Sequence, residues 1–264
     1  MIDVSLLTND LNRVRKQSPL VHNITNYVVM NNTANALLAL GASPVMAHSV
    51  DEVEEMAGIA SSLVINIGTL SSEWVKAMLL AGKAARKKGI PIVFDPVGAG
   101  ATSYRTQTCQ TIIETCRPNI IRGNGSEIMA LVNSNSQTKG VDSLASSDTA
   151  IDSAKILAQE TGAVVVVSGP VDYITDGNQV AEVKNGSPMM AKVTGMGCTA
   201  TAIIGAFAAI NSNLFVAAVH AMAVMSMAGE LAAEQSEGPG SMQVHFLDEL
   251  YKLSGETILK QLKV

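Results

Sequence analysis

The chain has 264 residues, 47% of them hydrophobic, enough apolar material for one large core or two small ones. With 18 basic and 23 acidic residues its net charge is -5, the basic residues are scattered and aromatics are only 3%, which argues against a nucleic-acid partner. The N-terminal MIDVSLLTNDLNRVRKQ lacks the apolar stretch of a signal peptide, and Cys109, Cys116 and Cys198 include no CxxC pair, so neither a zinc cluster nor a disulfide framework is expected and a reducing cytoplasm is.

In chain order, short apolar runs alternate with helical patterns. The predicted strands are 43–47 (SPVMA), 62–67 (SLVINI), 91–94 (PIVF), 120–121 and 163–168 (AVVVVS). The helical stretches between them are 32–40, 50–60, 73–88, 103–116 and 149–161. The valines Val164 to Val167 are apolar on both faces, as a buried parallel strand requires. Residues 173–184 read as a hairpin turning at Asp176-Gly177. From Val193 onward the chain is almost wholly helical. Within that part 214–229 is the most apolar stretch, interrupted by His220 and Ser226 and too short to span a bilayer. The polar segment 133–147 reads as a loop within a domain, and no linker or repeat divides the chain. The order fits a single α/β domain over 1–264, a three-layer α/β/α sandwich with a mostly parallel central sheet.

Open α/β sheets bind ligands beyond the carboxyl ends of their strands. Polar and glycine-containing turns follow almost every predicted strand: Met46, Gly68, Asp95-Pro96-Val97-Gly98, Arg122-Gly123-Asn124 and Ser168-Gly169. Each alone fits an ordinary turn; their recurrence suggests a site. No G-x-x-x-x-G-K-[ST] occurs, so a P-loop is excluded, and Gly195-Met-Gly197-Cys-Thr-Ala200 fits the loose dinucleotide pattern without the acidic residue that should follow. Asp95 alone reads as a turn-capping aspartate, Glu127 as a helix-start carboxylate and Arg122 as a surface ion-pair partner. Together, two carboxylates and a guanidinium at neighbouring strand ends are what Mg²⁺ with bound phosphates needs. The asparagines recurring between Asn23 and Asn35 exceed what capping explains, and point to a small polar ligand or a subunit interface.

The stretch 193–209, VTGMGCTATAIIGAFAA, places a glycine turn before an uncharged helix. Such a turn aims free N–H groups and the positive dipole end at one spot, an anion site. Cys198 in that field is expected to have a lowered pKa. A small buried hydrophobe at a helix start is the bland alternative.

Taken together, HNITNYVVMNNTANALLALGASPVMA (His22–Ala47), FDPVGAGATSYR (Phe94–Arg105), RGNGSEI (Arg122–Ile128), SGPVDYITDG (Ser168–Gly177), GMGCTATAIIGAF (Gly195–Phe207) and GPGSM (Gly238–Met242) resemble the hydroxyethylthiazole kinases, thiamin-salvage enzymes that phosphorylate 4-methyl-5-hydroxyethylthiazole. The resemblance spans nearly the whole chain. It implies a ribokinase-like fold, ATP with Mg²⁺, and a homotrimer with active sites at subunit boundaries. It makes Arg122 and Ser168 ATP contacts, and Met46 and Gly195 thiazole contacts. Gly197 is expected on the ATP side and Gly68 on the substrate side, and Asn26 is expected to contact substrate or to brace a subunit interface. Asp95 and Glu127 would serve Mg²⁺ and phosphate through water. Cys198 stands where the wider superfamily has an aspartate base. The competing expectations are an ATP-dependent nicotinamide-hydrate dehydratase, a hydroxymethylpyrimidine or pyridoxal kinase, and a non-catalytic sensor. Cys198 argues against the first, the segments around His22–Ala47 against the second, and the retained Asp95, Glu127 and Arg122 against the third.

Overall fold

The computed structural model describes residues 2–135 and 147–263. Its strands are β1 Leu20–Ile24, β2 Ser43–Val45, β3 Ser62–Asn66, β4 Ile92–Asp95, β5 Ile120–Asn124, β6 Val164–Ser168, β7 Asp172–Thr175 and β8 Val180–Val183, in one sheet of order β2-β1-β3-β4-β5-β6-β7-β8. The pairings from β2 through β6 are parallel, and β7 and β8 add an antiparallel hairpin at one edge.

The central strands β3, β4 and β6 read as near-continuous apolar runs because both sheet faces are covered there. Val64, Val93, Ile120, Val164 and Val166 pack on one side with α1 (Val4–Gln17), α2 (Met30–Leu40), α8 (Met196–Ala208), α9 (Leu214–Glu234) and α10 (Pro239–Lys252). Leu63, Ile65, Ile92, Phe94, Ile121, Val165 and Val167 pack on the other with α3 (Val53–Ile59), α4 (Ser72–Lys88), α5 (Ser103–Cys116), α6 (Gly125–Asn135) and α7 (Ser147–Thr161). The alternation within each strand divides the residues between two cores. The expected three-layer α/β/α arrangement with a mostly parallel sheet is the one found.

Besides the short 3-10 turn Pro188–Lys192, two larger elements were absent from the sequence reading. The first is α1, whose signal is Leu7, Leu11 and Val14 on one buried face after an N-cap Asp3 that accepts from Ser5 N and Leu6 N. The second is β1, LVHNI, whose polar His22 and Asn23 mask a strand that is buried from Val21 on and pairs with both β2 and β3. The expected loop at 133–147 is partly helix: α6 runs to Asn135, α7 begins at Ser147, and the rest lies outside the described residues. Helix α9 is longer than expected. Its 21 residues are long and apolar enough to cross a membrane, but 72% of the most apolar window is buried within the fold. Its interrupting polar groups are partnered: His220 Nδ1 meets Asp10 Oδ2 at 2.8 Å, and Ser226 Oγ donates to Asp172 Oδ2 at 3.0 Å.

Helix α8 lies so close to the sheet that a Cβ on Gly205 would sit 2.7 Å from Val64 Cγ2. Gly205→Ala is expected to destabilise by about 1–3 kcal/mol through overpacking, partly offset by alanine's better helix propensity. Urea unfolding checks it; an unchanged midpoint would mean the sheet yields there.

Candidate active site

The sheet order reverses between β1 and β3: β2 lies on one side of β1, and β3 to β6 continue on the other. Ligands of open α/β sheets bind at the carboxyl ends near such a reversal. Asn26 follows β1, Gly68 follows β3, Asp95 ends β4, Arg122 lies within β5 and Ser168 ends β6. Sequence reading put Asp95 and Arg122 just past their strands. Both belong to the strands, because pairing extends to Asn66↔Asp95 and to Asn124↔Ser168.

Asp95 is fully buried. Its Oδ2 accepts from Asn66 Nδ2 at 2.8 Å and from Thr201 Oγ1 at 2.7 Å, and Arg122 Nη1 stands 3.9 Å away. Burial pushes its pKa up to about 6, opposed by the Arg122 charge and the Thr201 and Asn66 hydrogen bonds, with Glu127 adding to the rise. Its Oδ1 is buried without a hydrogen-bond partner. A carboxylate with one oxygen unpartnered and the other near a guanidinium fits a hydrated Mg²⁺ that shares its charge with phosphates. Glu127 is engaged otherwise: Oε1 accepts from Gly98 N and Oε2 from Asn124 N, each at 2.8 Å, while Asn124 Oδ1 accepts from Glu127 N at 2.9 Å. It thus caps α6 reciprocally and braces the turn after β4.

Arg122 Nε donates to Ser168 Oγ at 2.9 Å. A Cβ on Gly197 would lie 2.6 Å from Arg122 Nη1, so the glycine makes room for the guanidinium against α8. Gly195 caps α8 in the left-handed region at φ 87°, where a Cβ would also strike Val29 Cγ1 at 2.7 Å. The expected glycine turn into a helix start is therefore present.

The expected lowering of the Cys198 pKa is not found. Burial pushes the thiol up to about 11, Asp95 adds to the rise, and the neighbouring amides of Asn66 and Asn26 with the Arg122 charge only partly oppose it. The helix start does stabilise charge in principle, but desolvation and a nearby carboxylate outweigh it.

A cavity of about 580 Å³ opens beside this cluster. Arg122, Ser168 and Gly197 line it, with Asp172 and Ser226 on one wall and Met190, Met196, Met222 and Met225 forming an apolar side. The remaining predicted residues lie elsewhere. Asn26 and Gly68 gather at Asn66 and Cys198, and Met46 follows the edge strand β2 on the far side of β1 from the cavity. Sequence reading missed Asn66, Thr201, Asp172 and Arg105. The first closes the apolar run SLVIN and the second sits in the first turns of α8, positions that a lone Asn or Thr occupies without marking a partner. Arg105 gives no signal either: it crosses from α5 to donate to the carbonyls of Ile67, Val97 and Gly68, fixing the turns after β3 and β4.

A mostly parallel sheet between two helical layers, with polar residues gathered at its carboxyl edge, is the arrangement of the ribokinase-like fold. That fold is shared with the pyridoxal kinase of Bacillus subtilis, known in an ADP complex, at TM-score 0.60 and 18% identity over 80% of this chain and 91% of that one. More specifically, the sequence model of the hydroxyethylthiazole kinase family matches residues 11–256. The chain is 56% identical to the hydroxyethylthiazole kinase of Syntrophus aciditrophicus over 95% of its length and 93% of the relative's. It is 53% identical to that of Nitratidesulfovibrio vulgaris strain DP4 over 100% and 99%. The hydroxyethylthiazole kinase structure from Pyrococcus horikoshii superposes at TM-score 0.92 with 42% identity, covering 98% of both chains. The chain belongs to the hydroxyethylthiazole kinase family and is a phosphotransferase.

Proposed function

We propose that residues 1–264 act as one kinase domain that transfers the γ-phosphoryl of ATP to the primary alcohol of 4-methyl-5-(2-hydroxyethyl)thiazole, with Mg²⁺, in thiamin salvage. The observation that carries this reading is that Arg122 and the N-terminal turn of α8 line the cavity together, with Asp95 and its unpartnered Oδ1 buried next to Arg122. The methionine-lined wall suits a flat adenine ring, since thioethers adapt to aromatic faces. Arg122, held by Ser168, meets phosphate oxygens, and the free N–H groups of Gly195 to Cys198 receive the charge that spreads over the transferring group. Asp95 would hold Mg²⁺ through water, with Glu127 adding its charge nearby; the ion would neutralise phosphate charge. The thiazole is assigned to the side of Asn26, Gly68, Gly195 and Met46, across Cys198 from the nucleotide. Exposed Tyr27 and Val28 beside Asn26 support a subunit interface there, consistent with a homotrimer, and the three free cysteines support a cytoplasmic location.

Cys198 with a raised pKa is a thiol at neutral pH, so it is not a ready-made base. In a loose transition state the alcohol need not be deprotonated first. Cys198→Ala is accordingly expected to lower kcat by about ten- to a hundredfold, below or at the low end of what a general base supplies. Steady-state assay of the folded variant tests this; complete loss of turnover would make the sulfur indispensable.

The test of the function itself is coupled ADP release with ATP and Mg²⁺, comparing hydroxyethylthiazole, hydroxymethylpyrimidine and pyridoxal, with products identified by mass. Thiazole-dependent ADP release with a phosphate ester is the expected result. Turnover with another alcohol, or with none in folded protein, would overturn the assignment.

A further inference from the structure

Between Asp95 and Cys198 runs a line of buried amides, of which the scheme above uses only Asn26, as part of the thiazole side, and gives Asn66 no role. Asn66 is 1% exposed and Asn26 4%. Asn66 Nδ2 donates to Asp95 Oδ2 at 2.8 Å. Asn66 Oδ1 accepts from Gly68 N and from Asn26 Nδ2, each at 2.9 Å. Asn26 Nδ2 also donates to Cys198 Sγ at 3.4 Å.

The direction of this line is forced. A backbone N–H can only donate, so Gly68 fixes the oxygen of Asn66 on its side. An ionised carboxylate can only accept, so Asp95 fixes the nitrogen on the other. Both ends demand the same orientation of Asn66. Asn26 must then turn its NH₂ toward Asn66 Oδ1, and the second hydrogen of that group is left for sulfur. Gly68 permits the arrangement: a Cβ there would meet Asn26 Nδ2 at 2.5 Å. The sulfur of Cys198 is therefore a hydrogen-bond acceptor from the protein, and its own hydrogen and remaining lone pair are turned away from Asn26.

We propose that Asn26, aimed by Asn66, is a positioning residue that fixes the Cys198 sulfur so that its remaining lone pair accepts from the O–H of the acceptor alcohol. This rests on the kinase reading above and adds to it how the thiol is held. No proton moves in this step. The bond from sulfur to the alcohol hydrogen turns a lone pair of the alcohol oxygen toward the phosphoryl group. A residue that only bound the thiazole ring would act on KM for that substrate whether or not Cys198 is present. A residue that acts through the sulfur loses its effect when the sulfur is gone.

The experiment is a double-mutant cycle on the full chain: wild type, Asn26→Ala, Cys198→Ala and the double variant, with kcat and both KM values measured and folding checked by circular dichroism. Asn26→Ala is expected to lower kcat about tenfold in the wild-type background, with KM for ATP within about twofold. In the Cys198→Ala background it is expected to change kcat by less than about twofold, since residues acting as a unit are non-additive. Asn26→Ser, too short to reach the sulfur, is expected to behave as Asn26→Ala and carries the test if the alanine variant does not fold. Equal factors in both backgrounds, or an effect confined to KM for the thiazole, overturn the proposal while leaving the kinase reading intact. Absence of thiazole turnover in the wild type overturns both.

Discussion

Arg122→Ala is expected to lower kcat/KM by about a thousandfold, the lower end of what a catalytic arginine contributes to phosphoryl transfer. Two losses combine. On the proposed reading the nucleotide loses a guanidinium whose Nε donates to Ser168 Oγ at 2.9 Å, and Asp95 loses the cation 3.9 Å from Oδ2. The Arg122 charge is the largest influence opposing the effect of burial on Asp95, so its removal favours the protonated carboxyl and weakens Mg²⁺ binding. Arg122→Lys is expected to recover only a small part. A lysine keeps a point charge but cannot direct one nitrogen at Ser168 and another toward phosphate. Steady-state kinetics at varied ATP and Mg²⁺ check this; an alanine variant within about tenfold of wild type would remove Arg122 from the phosphate site.

Asp95→Asn is expected to reduce turnover by about a thousandfold or more, a loss of charge where phosphoryl charge must be neutralised, while raising stability. An amide oxygen can still accept from Asn66 and Thr201, so the local packing survives. The stability change follows from the sign of the pKa shift. The folded carboxyl has a pKa of about 6 against an ordinary 3.8, so the folded state holds the proton more tightly. Relative to Asp95→Asn, the wild type therefore loses stability as pH rises from about 4 to about 6, and the gap stays constant above that. This pH-dependent change in the gap is on the order of 2–3 kcal/mol in the absence of metal. Thermal unfolding of both proteins at pH 4 and pH 8 measures it. Added Mg²⁺ with nucleotide is expected to stabilise the wild type more than the variant. A variant that is less stable at pH 8, or that retains turnover, would mean the buried charge is neither costly nor used.

Much of this site was visible as a pattern of strand ends. Asp95, Arg122 and Ser168 follow from one rule, that polar residues closing apolar strands face the ligand edge of a parallel sheet. The glycines of GMGCTATA announce the α8 turn because a left-handed N-cap and a close guanidinium both exclude a Cβ. Asn66 and Thr201 were harder, since a lone Asn or Thr carries no spacing signal; their role appears only when 29 and 106 residues of separation are closed onto one carboxylate. Strand β1 was hidden because its polar His22 and Asn23 are buried, and burial of polar residues in a central strand depends on partners elsewhere: His22 Nε2 lies 2.8 Å from Ala47 O.

By itself the sequence determined the alternation of strands and helices, the two-faced burial of the valine-rich strands and the place of the glycine turn. These depend on periodicity, on side-chain volume and on allowed backbone angles, all local properties. Only the tertiary structure decided the ionisation of the site. The helix start at Cys198 argues locally for an acidic thiol, yet the sulfur is buried near Asp95 and its pKa rises to about 11. Desolvation and Coulomb interaction depend on what surrounds a group in space, and the chain order does not contain that distance.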